Sequence, residues 1–270
     1  MDIHPLTPRR DPPGPLAGAG VLVTRPVRQA AGLVRRLAAL GATPIVWPAI
    51  VILPPADPAA LAHVQSNLAS YDIAVFVSAN AVEFGVGDPA RWPASLVAFA
   101  PGPGTAEALA AVGVPGARMP AKRFDSEGLL ALPELQDVNG KRAIVFRGDG
   151  GRDLLGDTLR ARGAHVDYVG CYRRAAPQSG AEGLIAALRD ARVHAVTITS
   201  SEGLDNLLAA LGDADRASLA KLPVFVPHPR IGEHARDRGL TAIATAGSDA
   251  GLVAGLLEWF ASHPIITTGR

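Results

Sequence analysis

The chain has 270 residues, 48% hydrophobic and 19% charged, which allows a sizeable core, suggests about two domains and excludes wholesale disorder. A formal net charge of +1 excludes a general electrostatic binder of nucleic acid or membrane surfaces, so any bound anion must be held by local groups. The single cysteine, Cys171, excludes an internal disulfide.

Residues 1–17 are proline-rich and lack the apolar run of a signal peptide, so a disordered tail on a cytoplasmic protein is expected. The run "VLVT" (21–24) reads as a strand that ends at Arg25. It passes into an amphipathic helix closed at Gly41. The apolar stretch "ATPIVWPAIVILPPA" (42–56) is short for a membrane span and broken by Pro44, Pro48 and Pro54. A strand over 72–77 meets Ser78-Ala79-Asn80, where Asn80 and Glu83 are placed to cap a helix. "FAPGPGTAEALAAVG" (99–113) gives a short strand, a turn from Gly102 through Gly104 to Thr105, and another helix.

The stretch "IVFRGDGGRDLL" (144–155) runs a strand into a glycine-rich turn, with a helix expected from Arg152 and closed at Gly163. Such a turn can hold an anion against the first turn of the helix. It is neither standard nucleotide motif. The third glycine of a dinucleotide fingerprint is replaced by Asp153, and the only Gly-Lys pair, Gly140-Lys141, is followed by Arg142 rather than Ser or Thr. The tripeptide Arg147-Gly148-Asp149 would suggest adhesion only in a secreted protein. A strand over 194–199 meets Ser200-Ser201 before a helix with Leu204, Leu207, Leu208 and Leu211 on one face. After a strand ending at Val226 come the turn "PHPRI" (227–231) and a last helix bearing Leu252, Val253, Leu256, Leu257 and Phe260.

These elements repeat. "VLVTRPVRQAAGLVRRLAALGA" (21–42) aligns without gaps on "AIVFRGDGGRDLLGDTLRARGA" (143–164), placing Arg25 on Arg147 and Gly41 on Gly163. "DIAVFVSANAV" (72–82) falls on "HAVTITSSEGL" (194–204) and matches Ser78 with Ser200. "FAPGPGTAEALAAVG" falls on "FVPHPRIGEHARDRG" (225–239), pairing Gly113 with Gly239. The chain is a degenerate duplication of strand–turn–helix blocks, the pattern of two parallel sheets covered by helices.

Ligands of such sheets bind beyond the carboxyl ends of the strands. That edge holds Arg25, Ser78, Ala79, Asn80, Gly104, Thr105, Arg147, Gly148, Gly150, Ser200, Ser201 and Arg230. It offers N–H groups, hydroxyls and guanidiniums but few bases. No metal-ligand spacing links the seven histidines, and no nucleophile–base arrangement stands out, so neither a metal nor a cofactor is expected.

The succession "VLVTRP", "LGATPIVWPAI", "VFVSANAV", "GPGTAEALAAVG", "DSEGLL", "VFRGDGGRDLLGDTLRARGAHVDYVGCYRR" and "ITSSEGLDNLL" resembles the uroporphyrinogen-III synthases over residues 20–258. The resemblance implies an α/β fold of two similar domains, each a parallel sheet flanked by helices, with the active-site cleft between them. Two extended segments, 48–54 and 168–177, would join the domains. Residues 18–50 plus 178–262 would form the first, discontinuous domain and 51–177 the second. The implied reaction closes the linear tetrapyrrole hydroxymethylbilane to uroporphyrinogen III. It loses water and inverts the terminal ring through a spiro intermediate, without metal or cofactor. The implied partner is this polycarboxylate alone, with no nucleic acid or membrane, in a monomer that can take substrate from the preceding pathway enzyme. Tyr172 matches the functional tyrosine of the family. The edge residues above would bind carboxylates, although "PHPRI" replaces the hydroxyl-rich turn of many relatives with one bearing Arg230. A two-domain protein that binds a tetrapyrrole or other small molecule without turning it over would share these features.

Overall fold

The computed structural model describes residues 14–150, 153–178 and 180–265. Among these, the strands in chain order are β1 (Gly20–Val23), β2 (Thr43–Val46), β3 (Val51–Leu53), β4 (Ile73–Phe76) and β5 (Val97–Phe99). Then follow β6 (Arg142–Gly148), β7 (His165–Ala175), β8 (Ala195–Thr197), β9 (Pro223–Val226) and β10 (Thr241–Ala244). They form two five-stranded sheets, ordered β10-β9-β8-β1-β2 and β3-β7-β6-β4-β5. The first sheet and the β7-β6-β4-β5 part of the second are parallel throughout. The described parts of Met1–Val51 and Ala176–Arg270 make one compact unit, and those of Ile52–Ala175 the other.

In the first unit, alternation along the strands sends side chains to both faces, as a doubly covered sheet requires. Val21, Val23, Ala195 and Phe225 pack with Leu33, Leu37, Leu252 and Leu256 of the helices Val27–Ala39 and Asp249–Ser262. Leu22, Val196, Val224 and Val226 face Leu184, Leu204, Leu207 and Leu219 on the opposite side. Polar bonds tie its two chain segments together. Thr24 donates to the Thr197 carbonyl at 2.8 Å, Thr197 to the Leu22 carbonyl at 3.0 Å, and Asn206 to the Ala49 carbonyl at 2.9 Å. The expected disordered tail needs correction where it is described. Residues 14–17 form a turn, Leu16 is buried in the core, and its N–H donates to Leu40. Residues 1–13 lie outside the described part.

In the second unit, Ala74, Phe76, Ile144 and Phe146 point to one face and Ile73, Val75, Ala143 and Val145 to the other. Phe76 and Phe146 stack with centroids 4.5 Å apart. Arg162, at the end of the helix Leu154–Ala161, donates to the Leu130 and Leu135 carbonyls at 2.9 and 2.7 Å, so the guanidinium pins the turn beneath it. Both segments expected as connectors lie in this sheet as β3 and β7, which are hydrogen-bonded neighbours.

The duplication reappears as topology. The order β9-β8-β1-β2 corresponds strand for strand to β5-β4-β6-β7. The counterpart of β10 is reduced to a single parallel bridge between Phe99 and Arg118. Gly41, Gly113, Gly163 and Gly239 all have positive φ, from 77° to 92°. Each closes its helix with the same pair of bonds. In the first, Gly41 N–H donates to Ala38 and Ala42 N–H to Leu37; in its twin, Gly163 N–H donates to Arg160 and Ala164 N–H to Leu159.

Candidate active site

An irregularity in β7 builds the site. Its pairing with β6 runs Val145↔Tyr168 and Arg147↔Gly170, then jumps to Gly148↔Tyr172. Upstream of the jump, Val166 and Tyr168 face the core under the helix Leu154–Ala161, and Val169 faces the other way. Simple alternation would return Tyr172 to the side of Tyr168. The extra residue keeps it on the face of Cys171 and Val169, toward Phe84 and Ser78.

Tyr172 is clamped there, with only 3% of its surface exposed. A Cβ on Gly148 would lie 2.8 Å from the Tyr172 ring, so only glycine admits the ring at this approach. Phe84 stacks on it with centroids 6.5 Å apart. The Tyr172 hydroxyl lies 3.1 Å from Ser78 Oγ. Ser78 caps the helix Ala79–Gly85 and accepts the Ala81 N–H at 3.2 Å, so the cap expected from Asn80 and Glu83 sits two residues earlier.

A pocket of about 260 Å³ opens beside this tyrosine, lined by Arg147, Gly148, Asp149 and Gly150 together with Val77, Ser126 and Arg174. Arg147 lies with its guanidinium 4.1 Å from the Tyr168 ring centroid and is paired with Asp153 at 2.7 Å. Tyr168 is itself fixed, accepting the Gly156 N–H at 3.0 Å and donating to the Asp153 carbonyl at 3.2 Å. Arg147 is therefore held at the rim by stacking as well as charge. Gly150 has φ +73°, and Asp149 N–H donates to the Tyr172 carbonyl at 3.1 Å, which fastens the turn to β7. The helix expected from Arg152 begins at Leu154; Gly151 and Arg152 are outside the described residues. Burial pushes the Cys171 thiol up to about 12, and the thiol donates to the Arg147 carbonyl at 3.2 Å.

The other expected residues sit at their strand ends in varied states. Ala79 is exposed and Asn80 half-buried on the helix capped by Ser78. Gly104 is exposed in the first turn of Pro103–Ala111, a helix capped by Gly102, and the neighbouring Thr105 is buried. In the first unit, Ser200 caps Ser201–Ala209 by accepting the Gly203 N–H at 3.0 Å, and Ser201 opens that helix. Arg25, expected to take a substrate carboxylate, is paired with Asp249 of its own unit. Arg230 is exposed, and His228 caps the helix Pro229–Arg236, its Nδ1 accepting the Arg230 N–H at 3.2 Å.

Sequence reasoning missed Val77, Ser126, Asp149 and Arg174 as pocket residues, and the pairing of Ser78 with Tyr172. The readable signal was Gly170, an isolated glycine within a strand pattern, which marks a bulge. Chemically, the pocket offers a phenolic proton, two guanidiniums and glycine-turn N–H groups. Among the described residues no three His, Cys, Asp or Glu side chains gather as a metal site, and no helix is long and apolar enough to cross a membrane.

A family model described as Uroporphyrinogen-III synthase HemD matches residues 31–254. A relative from Salmonella typhimurium, named uroporphyrinogen-III synthase, is 37% identical over 84% of this chain and 94% of its own length. The Escherichia coli K12 protein of that name is 38% identical over the same shares. Among solved structures, the uroporphyrinogen-III synthetase of Helicobacter pylori 26695 covers 89% of this chain and 99% of its own, with TM-score 0.61 at 12% identity. A mutant synthase of Thermus thermophilus covers 90% and 99%, with TM-score 0.57 at 19% identity. At those identities the two structures bear on the fold.

Proposed function

This chain belongs to the uroporphyrinogen-III synthase family, and on that premise we propose that it cyclises hydroxymethylbilane to uroporphyrinogen III, with loss of water and inversion of the terminal ring. The observation that carries the mechanism is a clamped phenol, Tyr172, beside a pocket rimmed by Arg147 and Arg174.

The reaction needs little acid–base machinery. The pyrrole nitrogen pushes out the hydroxyl on the neighbouring carbon, and a hydrogen-bond donor at the departing oxygen assists it. Tyr172 serves as that donor. Its proton passes to the oxygen as the C–O bond breaks, water leaves, and a delocalised cation remains on the chain. Ring closure releases one proton from the terminal pyrrole, which restores the phenol. Left alone, the cation closes to the uninverted type I ring, so the protein's larger task is to fix geometry. Positioning of this kind is worth about 7–11 kcal/mol.

Carboxylates of the substrate supply the handles. Arg147, with Gly148 and Gly150 in the turn, holds them beside Tyr172. Ser78, Ala79, Asn80, Gly104 and Thr105 at helix starts of the same unit, and Ser200, Ser201 and Arg230 in the other, offer further polar groups. Arg25 joins only by exchanging Asp249 for a substrate carboxylate. Because the reaction expels water, the enzyme is a lyase that needs no cofactor. The duplication already supplies two pseudo-equivalent halves, so a monomer suffices, and a substrate that closes unaided favours direct hand-over from the enzyme that makes it.

Tyr172→Phe tests the chemical role. Turnover should fall by about 10²–10⁴-fold with little change in substrate binding and mostly type III product, because the ring and the carboxylate contacts remain. Near-normal turnover would reduce Tyr172 to packing.

A further inference from the structure

We propose that Ser78 is a positioning residue for the chemical step: its hydroxyl backs the Tyr172 oxygen while the phenolic proton is given away. The inference rests on the synthase reading above and departs from the simpler expectation that Ser78 binds a substrate carboxylate.

The hydroxyl of serine has one proton to donate and two lone pairs to accept with. Ser78 Oγ accepts the Ala81 N–H at 3.2 Å and lies 3.1 Å from Tyr172 Oη. In the resting protein either oxygen of that pair can donate to the other. Once Tyr172 has passed its proton to the departing oxygen, only Ser78 can donate. The Ser78–Tyr172 bond then becomes a hydrogen bond to a phenolate, shorter and stronger than a neutral one. The Ala81 N–H polarises the serine in the same direction, so the two bonds reinforce each other.

Burial raises the stakes. Tyr172 is 3% exposed, and its ring is confined by Gly148 and Phe84, so water has little access to a charge forming on its oxygen. A preformed donor aimed where charge develops strengthens in the transition state and raises kcat rather than substrate affinity. Ser78 keeps its own proton throughout. The proton leaves Tyr172 for the hydroxyl of the substrate, the C–O bond breaks, and the proton freed at ring closure returns to Tyr172.

The arrangement joins residues 94 positions apart. The bulge in β7 brings Tyr172 to the Ser78 face, and the extended backbone of a helix cap (φ −165°) aims the serine. The pseudo-equivalent serine, Ser200, makes the same cap bond, to Gly203 at 3.0 Å. By the alignment that places Arg25 on Arg147, the counterpart of Tyr172 is Ile50, which lies beyond the end of β2 and carries no hydroxyl. The serine–tyrosine pair is thus confined to one half of the duplication.

The test is a set of variants assayed on hydroxymethylbilane beside the wild-type protein. Ser78→Ala should lower kcat by about 10²-fold with KM within about twofold, the scale of losing one donor to a developing oxyanion. Ser78→Gly, which helix starts tolerate, should do the same, separating loss of the hydroxyl from loss of the cap. Ser78→Thr, which keeps the hydroxyl, should restore turnover to within a few-fold. In a Tyr172→Phe background, Ser78→Ala should cost nothing further in kcat, since the two groups act on one step. A carboxylate contact would behave differently: KM would rise, type I product would increase, and the loss would multiply with that of Tyr172→Phe. That pattern, or unchanged kinetics in Ser78→Gly, overturns the inference and leaves the synthase reading intact. A wild-type protein that yields no type III product overturns the synthase reading itself.

Discussion

At the scale of single residues, the site depends on how closely one ring is confined. Gly148→Ala should push the Tyr172 ring off Ser78, because its new Cβ would come to 2.8 Å of the ring. Overpacking of this kind costs about 1–3 kcal/mol, and turnover should fall at least tenfold in protein that still folds. Normal turnover in a folded Gly148→Ala protein would mean that the ring position does not matter. Cys171, one residue away, has the opposite character. Burial pushes its thiol up to about 12, so almost no thiolate exists near neutral pH. Alkylating reagents should leave it unmodified in the native protein at pH 8 and label it after unfolding in urea, as mass spectrometry would show. Rapid native labelling would contradict that burial. Tyr172 could be picked from the sequence only through the family's motif, and its partner could not be picked at all. No local pattern links residues 78 and 172, and their meeting depends on a backbone irregularity.

At the scale of elements, the sequence was most legible where local chemistry decides the outcome. Apolar runs became strands, and the leucine faces at 204–211 and 252–260 turned inward, because period and burial agree. Gly41 and Gly163 were readable as helix terminators, since few other residues adopt positive φ cheaply. A contrast follows from their surroundings. At Gly239 (φ +77°) an added Cβ meets nothing, so Gly239→Ala should cost only the backbone strain, about 1–2 kcal/mol. At Gly163 (φ +88°) the Cβ would also collide with Asn139 Oδ1, so Gly163→Ala should lower the thermal midpoint further. Equal midpoints for the two variants would contradict this ordering. Caps were less legible, because Ser78 and Asn80 are both good cap residues and the register of the helix start chose between them. The role of His228 in capping a helix was missed because histidine is an uncommon residue there. Arg162 was missed because its partners are carbonyls about 30 residues away, which periodicity does not see.

At the scale of the whole molecule, the duplication explains why two four-stranded parallel arrays of matching order arise from a chain whose first sheet is assembled from two distant segments. That assembly has a pH-sensitive joint. His194 Nδ1 accepts the Gly20 N–H at 2.9 Å, and desolvation holds the imidazole below its ordinary value of 6.5. The folded state therefore binds fewer protons than the unfolded chain between that lowered value and pH 6.5. The contribution is complete above pH 6.5 and is lost as the pH falls through the folded value. Urea midpoints at pH 7.5 and 5.5 should differ less in His194→Gln, which keeps an acceptor that cannot titrate. Identical pH dependence in both proteins would remove His194 from the acid sensitivity. The duplicated blocks were legible because each repeats a strand–turn–helix chemistry, whereas the reduction of one edge strand to the single Phe99–Arg118 bridge left no sequence signal. We propose that this fold constrains a reactive cation so that it closes with one ring inverted. The most direct test is to incubate the purified protein with freshly made hydroxymethylbilane, oxidise the products and separate the porphyrin isomers. Predominantly type III product, well above the type I product of the unassisted reaction, is the predicted result; only type I product at the unassisted rate would contradict it.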